Sequence, residues 1–162
     1  MKIRPHYLQH HMTARVERTR RVALYLLLTV LLISGAAWLG LHLNRSDDAL
    51  PSPYEPWLMK IHGAASMLII FFSGTLLYGH MLNAWHQGRN RSAGLVMAGS
   101  FLLIALTGYG LYYFDGELLR RVTEWLHWAV GFGLPLLLWW HVALGRKERQ
   151  LRKAKAPRQP PL

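Results

Sequence analysis

Residues 22–43 read VALYLLLTVLLISGAAWLGLHL, a run of twenty-two residues without a formal charge. At a rise of about 1.5 Å per residue such a run makes a helix long enough to cross an apolar layer of about 30 Å. It is too long for the apolar region of a signal peptide, and no clear small-residue cleavage site follows it. Three similar runs come after it: Gly63 to Leu82 (GAASMLIIFFSGTLLYGHML), Ala93 to Phe114, and Leu126 to Leu144. Four spans with short connections fill most of the 162 residues, so the expectation is an all-α membrane protein built as a four-transmembrane-helix bundle. The expected organisation is a basic segment at 1–21, a transmembrane domain at 22–145 and a basic disordered tail at 146–162.

The charges fall between these runs. The formal net charge is +11, from 19 Lys+Arg against 8 Asp+Glu. Residues 1–21 hold six basic residues, the 85–92 connection holds Arg89 and Arg91, and the chain beyond Gly145 holds seven more. Only Arg45, Lys60, Arg120 and Arg121 lie on the other side, with Asp47, Asp48, Glu55, Asp115, Glu117 and Glu124 nearby. The positive-inside rule then places both termini in the cytoplasm and the acidic loops at the periplasm or exterior. The basic segments read as topology signals near anionic headgroups rather than as a nucleic-acid surface. Tryptophans toward the span ends read mostly as an aromatic belt.

There is no Cys among the 162 residues. That excludes disulfides, thiolate zinc sites, Fe–S clusters and covalently attached c-type haem. Metal chemistry must rest on the nine His and the few carboxylates. His6, His10 and His11 lie in the polar N-terminal segment, His42 at the outer end of the first span, and His86 just beyond the inner end of the second. The other four lie within or at the edges of spans, where ionisable residues are rare and usually functional.

Their spacing is informative. His62 and His80 are eighteen residues apart in the second span, five full turns at 3.6 per turn, so they share a face. His127 and His141 are fourteen apart in the fourth, about 40° short of four turns, and also share a face. Both spans run from outside to inside. His62 and His127 therefore lie near the outer surface, and His80 and His141 near the inner one. The axial separations are about 27 and about 21 Å, which leaves each pair matched in depth to about 3 Å if the helix midpoints align. Two pairs on facing helices are what two bis-His haems require, since imidazole suits iron and bundles hold cofactors between helices.

Ser66, Ile69, Ser73 and Leu76 on one stripe, and Gly131, Leu134 and Leu138 on the other, line the expected haem faces. Gly131 sits one turn after His127, where a macrocycle would crowd a side chain, and Pro135 is expected to bend the span. Lys60, Arg120 and Arg121 near the outer pair, and Arg89 and Arg91 near the inner pair, are candidate partners for propionates; contact with lipid headgroups is an equal reading of each. A zinc site would have only two His per pair. A proton relay would need polar steps through the middle, where Ser73 stands nearly alone. His42 lies close to the depth of His62 and is an alternative ligand there. His86 is roughly 120° off the face of His62 and is a weaker one.

The fourth span, LHWAVGFGLPLLLWWH (126–141), resembles the bacterial di-haem cytochromes b that serve as membrane electron-transfer subunits, of the formate-dehydrogenase-gamma and hydrogenase b-subunit type. The shared pattern is two ligand His fourteen residues apart with Gly soon after the first. ALTGYG (105–110) in the third span is similar as well. The resemblance covers about 60–145. It implies two haem b groups, with His127 a ligand of the outer iron and His141 of the inner. Many such relatives take a ligand from the cytoplasmic end of the first span, but here that end (RVALYLLL) has no His. His62 and His80 therefore rest on geometry.

The expected function is electron transfer between the quinone pool and a periplasmic or membrane redox partner carrying flavin, Fe–S, c haem or a metal centre. The chain would sit in the bacterial inner membrane as a multi-pass subunit of a respiratory complex, with quinone as substrate. The alternatives are a non-catalytic membrane anchor or assembly subunit, and a small His-containing transporter.

Overall fold

A computed structural model describes residues 16–46, 48–88 and 90–155, with the side chains of Tyr78, Lys153 and Lys155 excepted. Every regular element among them is helical. Helix α1 runs Arg18–Leu43 and α2 runs Glu55–Leu76; α2 passes into a π-turn at Leu77–Leu82 and a short α3 at Asn83–His86. Helix α4 spans Arg91–Tyr113 and α5 spans Glu117–Lys155. Helices α1, α2, α4 and α5 are each long and apolar enough to cross a membrane.

They form two helical hairpins. Helix α1 packs along α2, and α4 along α5; across the hairpins α1 touches α5 sparsely. Buried apolar residues are few: Ala65 and Ile69 on α2, Ala93 on α4, and Leu134 on α5. Large apolar side chains such as Leu26, Ile33, Met67, Phe71, Leu102 and Leu136 lie on the outside. Such a bundle is stable where its surroundings are also apolar, because only a helix satisfies its own backbone groups there.

Polar clamps hold the connections. Glu55 opens α2 beside Pro56, a residue suited to the first turn because it lacks the N–H that would go unpaired there. Its carboxylate, only 6% exposed, accepts the Ser52 N–H at 2.9 Å and an Arg45 Nη1 proton at 3.3 Å. That pins the end of α1 to the start of α2. At the other end of the bundle Asn90 takes a left-handed conformation with φ 44°, which Asn tolerates better than most residues. Its N–H donates to both Glu148 carboxylate oxygens, at 3.0 and 3.1 Å, and its side-chain amide donates to the His141 carbonyl at 3.2 Å. The connection into α4 is thereby tied to α5.

Two boundaries differ from the sequence expectation. Helix α5 continues to Lys155, so residues 146–155, expected to be disordered, are helical. Those residues are mostly strong helix formers, and neither Gly nor Pro occurs among them. Residues 1–15 and 156–162 lie outside the described residues, as do Asp47 and Arg89. Helix α5 also carries Pro135 in its interior without ending there.

Because Arg45 compensates a buried carboxylate, Arg45→Ala should lower stability by about 1–3 kcal/mol. Arg45→Lys should recover part of it. Thermal unfolding in detergent measures both, and an Ala variant as stable as the parent would show that the clamp contributes nothing.

Candidate functional site

The four spaced histidines come together as two pairs. His62 of α2 and His127 of α5 have ring centroids 6.2 Å apart, with planes at 63°. His80, inside the π-turn, and His141 of α5 have centroids 6.3 Å apart, with planes at 76°. Each pair joins one hairpin to the other.

His80 is reached through a π-turn. As plain α-helix, the eighteen residues from His62 to His80 would rise about 27 Å, against about 21 Å from His127 to His141. A π-turn pairs residues i and i+5, so the chain gains less height per residue and its rotation lags. At Leu77–Leu82 only its first residues precede His80, so it removes a small part of that difference, while the lagging rotation changes the direction in which His80 leaves the helix.

The imidazoles of the first pair are oriented by hydroxyls on the partner helix of each hairpin. Ser34 Oγ donates to the Val30 carbonyl at 2.7 Å, so its contact with His62 Nδ1 at 3.0 Å uses the oxygen as acceptor. Thr107 Oγ1 donates to the Leu103 carbonyl at 2.9 Å and in the same way accepts from His127 Nδ1 at 3.1 Å. Both rings therefore carry their proton on Nδ1, which leaves the Nε2 lone pair as the available base and metal ligand.

Glycines make room for these contacts. A Cβ on Gly35 would stand 3.1 Å from His62 Cε1, and one on Gly108 would stand 3.3 Å from His127 Cε1. At Gly131, expected as a haem-facing glycine, a Cβ would meet Ile104 Cδ1 of α4 at 3.4 Å.

The second pair has a different surround. His141 lies within hydrogen-bonding range of the Ala93 backbone, and among the described residues no side chain meets its buried Nδ1. At the first turn of α1, Arg21 Nε is also buried and has no hydrogen-bond partner among the described residues. Between the two pairs lie the buried Ile69 and Leu134, with Ser73, Leu76 and Leu138 half-buried. Ser66 turns its hydroxyl to the Gly63 carbonyl at 2.7 Å.

The other candidates are engaged elsewhere or exposed. His42 stacks on Trp38, with centroids 4.8 Å apart, and lies 3.5 Å from Arg45; the ring facing His127 is that of His62. His86 is exposed. Lys60 sits over the Trp57 ring, Arg91 lies over Trp85 and donates to its carbonyl, and Arg120 pairs with Glu124. Arg121 is exposed, and Arg89 lies outside the described residues.

Comparisons with protein-family models, with curated proteins and with solved structures found nothing that matches this chain.

Sequence reasoning passed over Ser34, Gly35 and Arg21, and read ALTGYG only as a familiar string. The available signal was a recurrence: Ser34-Gly35 in the first long helix and Thr107-Gly108 in the third. Chemically, each pair can present two imidazole nitrogens to one metal centre. Among the described residues no group of three or more His, Cys, Asp or Glu is arranged to hold a bare ion.

Asn90 anchors the α5 carbonyl at His141, and its left-handed backbone disfavours branched residues. Asn90→Val should cost about 2–4 kcal/mol, since it adds the strain to the lost bonds. Asn90→Gly should cost less, because it removes only the amide. Equal unfolding midpoints for the two variants would contradict this account.

Proposed function

We propose that this chain is a membrane-embedded cytochrome b that binds two haems, one between His62 and His127 and one between His80 and His141. The observation that carries the reading is the pair of His–His separations across the hairpins. Two imidazoles sharing one metal ion from opposite sides, with bonds of about 2.0 Å each, have centroids about 6.3 Å apart once a ring radius of about 1.15 Å is added on each side. The separations are 6.2 and 6.3 Å. A bare zinc ion would ask for three or four protein ligands, whereas a porphyrin supplies four of its own and asks for two. The Nδ1-protonated tautomers at His62 and His127 leave the right nitrogen for the metal, and glycines rather than bulkier residues stand against those rings.

Haem, when bound this way, serves as a reversible one-electron carrier. The chain's own residues do the rest. Ser34 and Thr107 hold two rings in orientation, and Ile69 and Leu134 keep the space between the layers apolar. Of the basic residues, Arg21 has the strongest claim to a propionate at the His80–His141 end, because its buried Nε has no hydrogen-bond partner among the described residues. Lys60 and Arg121 are the candidates at the other end.

Two carriers at two depths make a path across the bilayer. A single charge moved across 100 mV is worth about 2.3 kcal/mol, so the flow would couple to membrane potential. The resemblance of the α5 pattern to di-haem subunits supports a place in a bacterial inner-membrane respiratory complex. That complex would link a quinone to a periplasmic or membrane redox subunit, with both termini of this chain cytoplasmic.

Dithionite-reduced purified protein should show a sharp b-type α-band, and the pyridine haemochrome should give close to two haems per chain. His62→Ala and His127→Ala should each remove the same haem, and His80→Ala and His141→Ala the other. A colourless protein would favour a structural anchor. A stoichiometry of one would remove the second site. A reporter fused after residue 155 should be active only in its cytoplasmic form, and periplasmic activity would reverse the topology.

A further inference from the structure

The two His pairs are built from one pattern that is complete at one end of the bundle and broken at the other. At the first pair a buried hydroxyl followed by Gly faces each ring: Ser34-Gly35 against His62, and Thr107-Gly108 against His127. Ser34 is 4% exposed and Thr107 6%, so water does not compete for these bonds. On α4 the same register recurs fourteen residues earlier as Ala93-Gly94, just as His141 follows His127 by fourteen on the antiparallel α5. Ala93 is fully buried and has no hydroxyl to offer, so His141 has only the Ala93 backbone beside it, and among the described residues its buried Nδ1 meets no side-chain acceptor.

A ring N–H held by an acceptor makes the opposite nitrogen a stronger base. A stronger donor favours the metal state of higher charge. We propose that Ser34 and Thr107 are positioning residues that set the two redox sites apart: by accepting the Nδ1 protons of His62 and His127 they make the iron at that pair harder to reduce, while Ala93 leaves His141 the weaker donor at the other. The inference rests on the haem reading and adds the direction of the difference between the two sites.

The test is a reductive titration of the full chain in detergent, followed at the α-band. The parent should give two midpoints, and the lower one should be missing from His127→Ala. In S34A/T107A the lower midpoint should move upward while the higher one stays, with S34A and T107A alone giving intermediate shifts. S34T and T107S keep the hydroxyl and should titrate like the parent. A93S offers His141 an acceptor and should move the higher midpoint downward. The proposal is overturned if the lower midpoint does not move in S34A or T107A, if both midpoints move together, or if His127→Ala removes the higher one. A parent without haem would bring down the proposed function and this inference with it. A parent with two haems and an immovable lower midpoint would bring down the inference alone.

Discussion

An imidazole buried between apolar helices must place its N–H on an acceptor, and that requirement organises much of this bundle. At the first pair a side-chain hydroxyl supplies that acceptor, beside the backbone carbonyls of the same helix turn. Ser34 and Thr107 meet the need at low cost: each gives its own proton back to a carbonyl one turn earlier and turns its oxygen outward. The glycine after each hydroxyl lets the facing helix approach closely enough for the bond. Tight pairing of α1 with α2 and of α4 with α5 follows from the same contacts, and each hairpin then presents its histidine across to the other.

The two ends of the bundle are closed by different means. Between α1 and α2, a buried Glu55 is met by Arg45 and by the Ser52 backbone. Between the π-turn and α4, Asn90 in a left-handed conformation bridges to Glu148 and to the His141 carbonyl. Both clamps use charge or strain at connections, where polar groups can be solvated. The middle of each helix is left to small and aliphatic residues. The second clamp also fixes the backbone at the level of His141, so the pair with the less satisfied ring sits on a well-anchored helix.

The histidine spacing carried much of the site. Helical periodicity alone put His62 with His80 and His127 with His141, and matching span directions suggested the cross-pairs now seen as neighbours. It left a depth mismatch of about 3 Å per pair. The π-turn at Leu77–Leu82, which changes the rotation of the chain at His80, has no period of its own in LYGHML from which it could be read. The glycines against the imidazoles, Gly35 and Gly108, were missed for a related reason: periodicity gives a face but not the neighbour opposite it. The helical 146–155 segment, by contrast, was legible from its run of Arg, Lys, Glu, Gln and Leu, but was weighed with the Pro-rich residues that follow it.

By itself the sequence determined the four long apolar helices, the segregation of basic residues between them, and the exclusion of thiolate ligands. Length, charge and the lack of Cys decide these, and all are properties of the chain read in order. Only the tertiary structure decided which helices pair, which hydroxyls meet which imidazoles, and that the hydroxyl contacts differ between the His62–His127 and His80–His141 pairs. Those depend on contacts between residues 20 to 58 positions apart, where the rotation of one helix about its axis changes every neighbour while its own sequence pattern stays the same.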